Sequence, residues 1–121
     1  MSVQMEKGRA ALAGAGILGV AGVSAAALSA HAGSDPRLMG AAALVCLTHA
    51  PALLALGLSG RREAMLRLAG LLVFVGAALF ASDMALREFG LGRLFAMAAP
   101  AGGIAMMAGW LAAAVSAVTK R

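Results

Sequence analysis

The sequence predicts an all-α integral membrane protein, a four-transmembrane-helix bundle with short loops and both termini in the cytoplasm. Three observations support this prediction. The chain has 121 residues, of which 62% are hydrophobic and only 12% are charged, whereas a soluble domain typically has about 25% charged residues. Its sequence contains four apolar runs long enough to cross a bilayer. The charged residues cluster between and beside these runs, so they do not provide the polar surface of a soluble domain.

The first predicted span covers residues 10–30, a continuous run of apolar and small residues. A helix of this length crosses roughly 30 Å of hydrocarbon at about 1.5 Å per residue. A cleaved secretory signal peptide is the alternative, because Ala-His-Ala at 30–32 fits a small-residue cleavage site. We favour a retained span, since the apolar part of a signal peptide is usually about 7 to 15 residues long. A tight turn is predicted at 33–36.

Three further spans are predicted, at residues 38–58, 68–86 and 94–118. The second has a histidine and a proline near its centre. The third includes Asp83 close to one end, and the fourth includes Pro100 in its first third. Because the connecting loops are short, the four spans are expected to form one membrane domain, residues 1–121.

The basic residues predict the orientation of the spans. Seven of the ten fall on the side of the two termini: Lys7, Arg9, Arg61, Arg62, Arg67, Lys120 and Arg121. The other three, Arg37, Arg87 and Arg93, fall on the opposite side. Basic residues in short loops favour the cytoplasm, so both termini are expected there. We interpret the net charge of +5 as a topology signal and not as a nucleic-acid surface, because stacking aromatics do not accompany it.

Small residues repeat along the first and fourth spans. Because lipid tails are as apolar as leucine, membrane helices associate where small residues let their backbones approach. The predicted packing positions are Gly14, Gly19 and Gly22 of the first span and Ala101, Ala105, Gly109 and Ala113 of the fourth. We therefore predict that these two spans pack against each other. The third span has bulkier side chains and is expected to face lipid: Leu71, Leu72, Phe74, Leu79 and Phe80.

Three ionisable residues at membrane depth form a predicted polar cluster. His31 and Asp83 are expected at similar depth, where a carboxylate would favour the charged imidazole. The alternative for Asp83 is an interfacial position with a partner at Arg87, four residues later on the same helix. His49 is expected to lie deeper and to be neutral, either as a functional group or as a hydrogen-bonding partner of a neighbouring helix.

Pro100, Gly102 and Gly103 predict a break in the fourth helix. Proline removes the hydrogen bond to residue 96, and the two glycines leave the freed carbonyl unprotected, so the helix is expected to kink or open. Broken membrane helices can coordinate ions, although most prolines in membrane helices only bend them.

The residue types predict neither an enzyme nor a metal or cofactor site. Cys46 and His49 share one helix face, but two potential ligands without a third are weak support for a metal. The eight methionines are better explained as core-filling side chains than as copper ligands.

Several segments together resemble a known family: Ala-His-Ala at 30–32, His49, Gly-Ala-Ala-Leu-Phe-Ala-Ser-Asp at 76–83, Ala-Pro-Ala-Gly-Gly at 99–103 and Ala-Gly-Trp at 108–110. This combination resembles the bacterial inner-membrane family catalogued as domain of unknown function four-two-three, whose eukaryotic relatives resemble mitochondrial transmembrane protein two-five-six. The resemblance implies a four-helix membrane protein with no established activity. The matching positions are His31, His49, Phe80, Pro100, Gly102, Gly103, Gly109 and Trp110. The sequence departs from the family pattern in having Val45, Cys46 and Leu47, and no tyrosine, before the second-helix histidine.

Three functions are compatible with the sequence. The first is a non-enzymatic accessory or assembly subunit in the bacterial inner membrane, in contact with lipid and either with helices of a larger complex or with itself, but not with nucleic acid. The second is a small transporter or channel that uses His31, Asp83, His49 and the break at 100–103. The third is a haem- or metal-binding redox accessory that uses the two histidines, although their predicted depths are too different for one metal to reach both.

Overall fold

The computed structural model describes residues 3–31, 35–61 and 63–119, with the side chains of the first helix described from residue 8. Four α-helices account for most of these residues: α1 (Val3–His31), α2 (Pro36–Ser59), α3 (Ala64–Glu88) and α4 (Ala98–Val118). The part of the chain described contains no strand, and the all-α prediction is confirmed. Residues 33 and 34 of the turn predicted at 33–36 lie outside the described residues, as do Arg62, Lys120, Arg121 and the side chain of Lys7.

All four helices are long and apolar enough to cross a membrane: Gly8–His31, Pro36–Ser59, Ala64–Glu88 and Ala98–Val118. In the apolar window of each, no more than 28% of the residues are buried inside the protein. Most residues of these windows therefore keep part of their surface exposed, which is unfavourable for apolar side chains in water and favourable in hydrocarbon. The fold is compatible with a multi-pass membrane protein.

The boundaries of α2 follow from local sequence signals. Asp35 caps the helix, because its carboxylate accepts a 3.0 Å hydrogen bond from the N–H of Arg37, and Pro36 occupies the first turn, where no N–H is needed. Hydrogen bonds from the backbone and then the side chain of Arg37 lower the pKa of Asp35. At the other end Gly60 has a φ of 71°, a left-handed conformation that glycine adopts without a Cβ clash.

Neighbouring helices run antiparallel. Gly8 of α1 lies against Gly57 of α2, while Gly22 lies against Cys46, so residue numbers fall along one helix as they rise along the other. The same pattern joins α3 and α4, where Gly76 lies against Gly102. Helix α3 contacts each of the other three helices. Within the described residues, α4 makes close backbone contacts with α3 alone.

This arrangement corrects two predictions about packing. The first and fourth helices do not make close backbone contacts, because α1 packs mainly on α2 and α4 packs on α3. The third helix is not the lipid-facing one but the central one. Phe74 and Phe80 both pack against the buried core, and among the five bulky residues assigned to lipid only Leu71 is clearly exposed. Bulk alone does not indicate exposure to lipid, since large side chains also fill the space between helices.

The core consists of two adjoining clusters of mostly small side chains. One occupies the centre of the bundle and includes Leu18, Cys46, Leu53, Val73, Ala77 and Met106. The other lies nearer the end that carries Asp83 and includes Ala25, Met39, Ala42, Ala43, Met84 and Ala99. Phe80 contacts both clusters and so joins them into one interior.

The predicted break in the fourth helix is wrong. Helix α4 begins at Ala98, not at residue 94, so Pro100 is its third residue. The first four N–H groups of a helix have no partner within the helix, and a proline there costs no hydrogen bond. Instead, the first turn is closed by the N–H of Ala101, which donates to Met97 over 2.9 Å. Pro100 therefore lies in the first turn of a helix and does not interrupt one.

Candidate functional site

Asp83 lies on α3 and is completely buried, with 0% of its surface exposed. Its Oδ1 accepts a 2.8 Å hydrogen bond from the backbone N–H of Leu94. Its Oδ2 forms an ion pair with Nη2 of Arg87 at 2.9 Å, one helical turn away. A buried carboxylate is costly unless it is paired. The ion pair with Arg87 offsets part of that cost, and the hydrogen bond from Leu94 attaches the segment between α3 and α4 to α3.

The predicted cluster of His31 and Asp83 is not formed. Both carboxylate oxygens of Asp83 are occupied by Leu94 and Arg87, whereas His31 is exposed at the end of α1. The alternative partner, Arg87, is confirmed, but Asp83 is fully buried and not exposed at the interface. The physical reason is the segment 89–97, which folds back over the end of α3 and brings a backbone N–H to the carboxylate.

His49 lies near the middle of α2 and is hydrogen-bonded at both ring nitrogens. The indole Nε1 of Trp110 donates to Nε2 over 3.0 Å, and Nδ1 lies 2.7 Å from the carbonyl oxygen of Val45. Because an indole N–H can only donate, Nε2 must accept and carries no proton. The partners thus assign a neutral imidazole whose Nδ1 proton points to Val45.

The hydrogen bond between His49 and Trp110 connects α2 to α4, two helices whose backbones do not approach closely. The two rings are tilted by 58° with centroids 5.8 Å apart. A hydrogen bond to a neighbouring helix was one of the two alternatives predicted for His49 and is confirmed, but Trp110 was not identified from the sequence as the partner. It could have been found from depth, since His49 and Trp110 lie about 20 and 18 Å along helices that begin at the same end of the bundle. An indole N–H at that depth also needs an acceptor.

The two glycines of the Pro-Ala-Gly-Gly motif, Gly102 and Gly103, have different surroundings. A Cβ on Gly102 would lie 2.6 Å from the carbonyl oxygen of Gly76, and a Cβ on Gly76 would lie 2.6 Å from that of Gly102. Only glycine permits so close a backbone approach. A Cβ on Gly103 would meet no atom within 4 Å. Gly102 is therefore the point at which α4 crosses α3, whereas Gly103 takes no part in that crossing.

The other predicted packing positions have varied surroundings. Gly14 lies against Phe74 and Leu53, and Gly22 lies against Leu47 and Cys46, while a Cβ on Gly19 would have no neighbour within 4 Å. On α4, Gly109 is buried against Val73 and Ala69. The three alanines of the predicted ridge are exposed or partly exposed: Ala101, Ala105 and Ala113. The buried face of α4 is rotated away from that ridge toward Gly102 and Met106.

The described residues contain no group of three or more His, Cys, Asp or Glu side chains arranged to hold a metal ion. Cys46 is buried as a free thiol, and the Nε2 of His49 accepts from Trp110. The residues that were expected to line a transport path also lie apart. His31 is exposed, Asp83 is enclosed by its own partners, and Pro100 lies in the first turn of α4.

A sequence model of the family described as protein of unknown function (DUF423) matches residues 25–103. The match runs from the last turns of α1 to Gly103 in α4, so it includes His31, His49 and the Pro-Ala-Gly-Gly motif but not Trp110. No curated protein and no solved structure matches the chain. Since the matched residues make up about two thirds of its length, the chain belongs to the DUF423 family of proteins of unknown function.

Proposed function

We propose that the protein is a small non-enzymatic subunit of the bacterial inner membrane, with both termini in the cytoplasm. In this role the outer face of α1 packs against a helix of another membrane protein or of a second copy of the chain. The main support is a pair of glycines on that face, Gly16 and Gly19, that no part of the described chain approaches.

Twelve of the other thirteen described glycines have a structural role. Three of them have a positive φ and lie at turns or at a helix end: Gly60, Gly90 and Gly92. Nine have atoms of another helix within 4 Å of a potential Cβ: Gly8, Gly14, Gly22, Gly40, Gly57, Gly70, Gly76, Gly102 and Gly109. Three helical glycines have neither feature, namely Gly16, Gly19 and Gly103. Two of these three lie together on α1.

A glycine inside a helix costs about 0.5–1 kcal/mol relative to alanine. Facing lipid, Gly16 and Gly19 would incur this cost with no compensating contact. Facing a second helix, they would allow close backbone approach, which is the usual basis of helix association in membranes. Their spacing of three residues places them on one side of α1, next to the exposed side chains of Val20 and Val23. This outer face, residues 16, 19, 20 and 23, is the proposed contact surface.

The transporter hypothesis has less support. It requires His31, Asp83, His49 and an open α4 backbone along one path. Asp83 is enclosed by Leu94 and Arg87, and α4 is not interrupted at Pro100. No contact among the described residues favours that function over helix association.

The test compares the protein with the double variant Gly16→Leu/Gly19→Leu after extraction in a mild detergent. Native gel electrophoresis gives the mass of the particle, and mass spectrometry identifies any co-purifying protein. The wild type is expected to migrate as a larger assembly, and the double variant as the isolated chain. Ala114→Leu, at an exposed position of α4, is the control and should retain the assembly. An equal particle mass for the wild type and the double variant would refute the proposal.

A further inference from the structure

A cavity of about 560 Å³ opens between α1, α2 and α3. On α1 it is lined by small or apolar residues from Gly8 to Ile17, and on α3 it reaches from Leu66 to Phe74. The volume lies within the range of about 300–1,000 Å³ that is typical of sites for small ligands. The cavity runs about 12 Å along α3, which is most of the roughly 15 Å of hydrocarbon in one leaflet.

Positive charge lies at one end of this cavity and apolar side chains at the other. Arg61 and Arg67 both line the cavity at the end formed by the link between α2 and α3. Arg61 is held by Glu63 through contacts of 2.7 and 2.9 Å, so its charge is largely balanced. Arg67 is exposed and forms no ion pair with any residue that the structure describes. Ile17 and Phe74 line the opposite end. Apart from Arg61 and Arg67, no residue that lines the cavity is charged.

We propose that this cavity binds one acyl chain of an anionic phospholipid, with the lipid phosphate at Arg67. The polarity of the cavity matches that of such a lipid, since both have a charged end at the membrane surface and an apolar part extending inward. Basic residues beside pockets between membrane helices are known to favour anionic headgroups. The proposal does not depend on the association of α1 with a partner, because the cavity lies on a different side of α1 from Gly16 and Gly19.

A phospholipid explains the cavity better than a partner helix does. A spanning helix would run through roughly 30 Å of hydrocarbon, whereas the cavity ends after about 12 Å at Phe74. The ring of Phe74 packs over Gly14, with Cδ1 only 3.1 Å from a potential Cβ there. A helix passing this point would have to displace that ring, but an acyl chain can end inside the cavity before it reaches the ring.

The test measures lipid bound to the purified protein by native mass spectrometry, after exchange into phosphatidylglycerol or phosphatidylcholine with identical acyl chains. The wild type is expected to retain phosphatidylglycerol in preference to phosphatidylcholine. Arg67→Gln should reduce that preference roughly fivefold, the effect of one basic residue on an anionic lipid. The charge-matched control is Arg93→Gln, at an exposed position beyond the opposite end of the bundle, and it should leave the preference unchanged.

A second variant tests the apolar part of the site. Ala13 is exposed and lines the cavity, so Ala13→Leu should fill space without disturbing the core and should reduce binding of both lipids. Ala114→Leu, an exposed α4 position outside the cavity, should not. Inorganic phosphate at equal concentration should not displace bound lipid. The proposal is overturned if the wild type shows no preference, if the two arginine variants behave alike, if Ala13→Leu binds lipid normally, or if phosphate displaces the lipid.

Discussion

Two glycine-containing surfaces of this protein have opposite surroundings. Where α3 crosses α4, Gly76 and Gly102 bring two backbones so close that either Cβ would collide with a carbonyl oxygen at 2.6 Å. On the outer face of α1, Gly16 and Gly19 have nothing within 4 Å of a potential Cβ. The same residue type therefore marks a contact inside the chain in one place and an open surface in the other.

The difference between the two surfaces arises from what positions each helix. Helix α4 is oriented by the segment before it, which Asp83 holds through the N–H of Leu94, and by the side-chain contact between Trp110 and His49. Helix α1 is held on α2, with Gly22 against Cys46, and this leaves the opposite face of α1 uncovered. Glycine spacing thus indicates that close approach is possible, while the loops and polar contacts decide which helix approaches.

The largest expected effect comes from filling the crossing of α3 and α4. Gly102→Leu should lower the free energy of unfolding in detergent by about 3 kcal/mol, the upper part of the usual range for overpacking, because the backbone of Gly76 cannot move aside as a side chain could. Circular dichroism during denaturation measures this loss. Gly103→Leu is the matched control one residue away, where the space is open, and equal losses for both would contradict the crossing.

A smaller loss is expected where the segment before α4 is attached. Asp83→Ala removes the acceptor of the Leu94 N–H and the partner of Arg87, and should cost about 2 kcal/mol. Asp83→Asn can still accept from Leu94 and should cost less, because Arg87 is partly exposed and its ion pair is screened by solvent. The comparison is made by the same denaturation experiment. Identical losses would mean that the hydrogen bond to Leu94 does not contribute to stability.

The side-chain contact between α2 and α4 is expected to contribute about 1 kcal/mol, as a single hydrogen bond does. Trp110→Phe keeps an aromatic ring but removes the indole N–H, so the Nε2 of His49 loses its donor. His49→Phe removes the other partner, and the double variant completes a mutant cycle. Additive losses would show that the two side chains are not coupled.

The smallest effect should have the opposite sign. Gly16→Ala adds a methyl group where no atom is near and removes the helix penalty of glycine, so the isolated chain should become more stable by about 0.5 kcal/mol. The measurement requires detergent in which the chain is monomeric. A loss of stability in that monomer would mean that the face is not open, and the contrast with Gly102 would disappear.

The number and approximate positions of the helices could be predicted because they depend on local properties. Apolar runs of sufficient length, the Asp-Pro start of α2 and Gly60 after its end are all visible in the sequence. The start of α4 was misplaced because the segment 94–97 is apolar, like a helix, but takes a turn in which Met97 has a φ of 69°. That displacement changes the role of Pro100 from a break to a first-turn residue.

The contacts between helices were harder to predict because they depend on rotation about each axis. The face of α4 that contacts α3 includes Gly102, Met106 and Gly109. Of the small residues that repeat along the sequence, Ala101, Ala105 and Gly109, only Gly109 belongs to that face. The partner of Asp83 was among the alternatives because Arg87 is close in sequence. Leu94 could not be identified from residue type, since it contributes a backbone N–H that every residue except proline has.

The contact between Trp110 and His49 also provides an optical probe that requires no labelling. Trp110 is the one tryptophan in the sequence, and 51% of its surface is exposed, so all indole fluorescence comes from a single site beside α2. A change in emission wavelength or anisotropy can therefore be assigned to the position of α4 relative to His49. The same signal can be followed in vesicles, where movement of α4 away from α2 would be detected without a second chromophore.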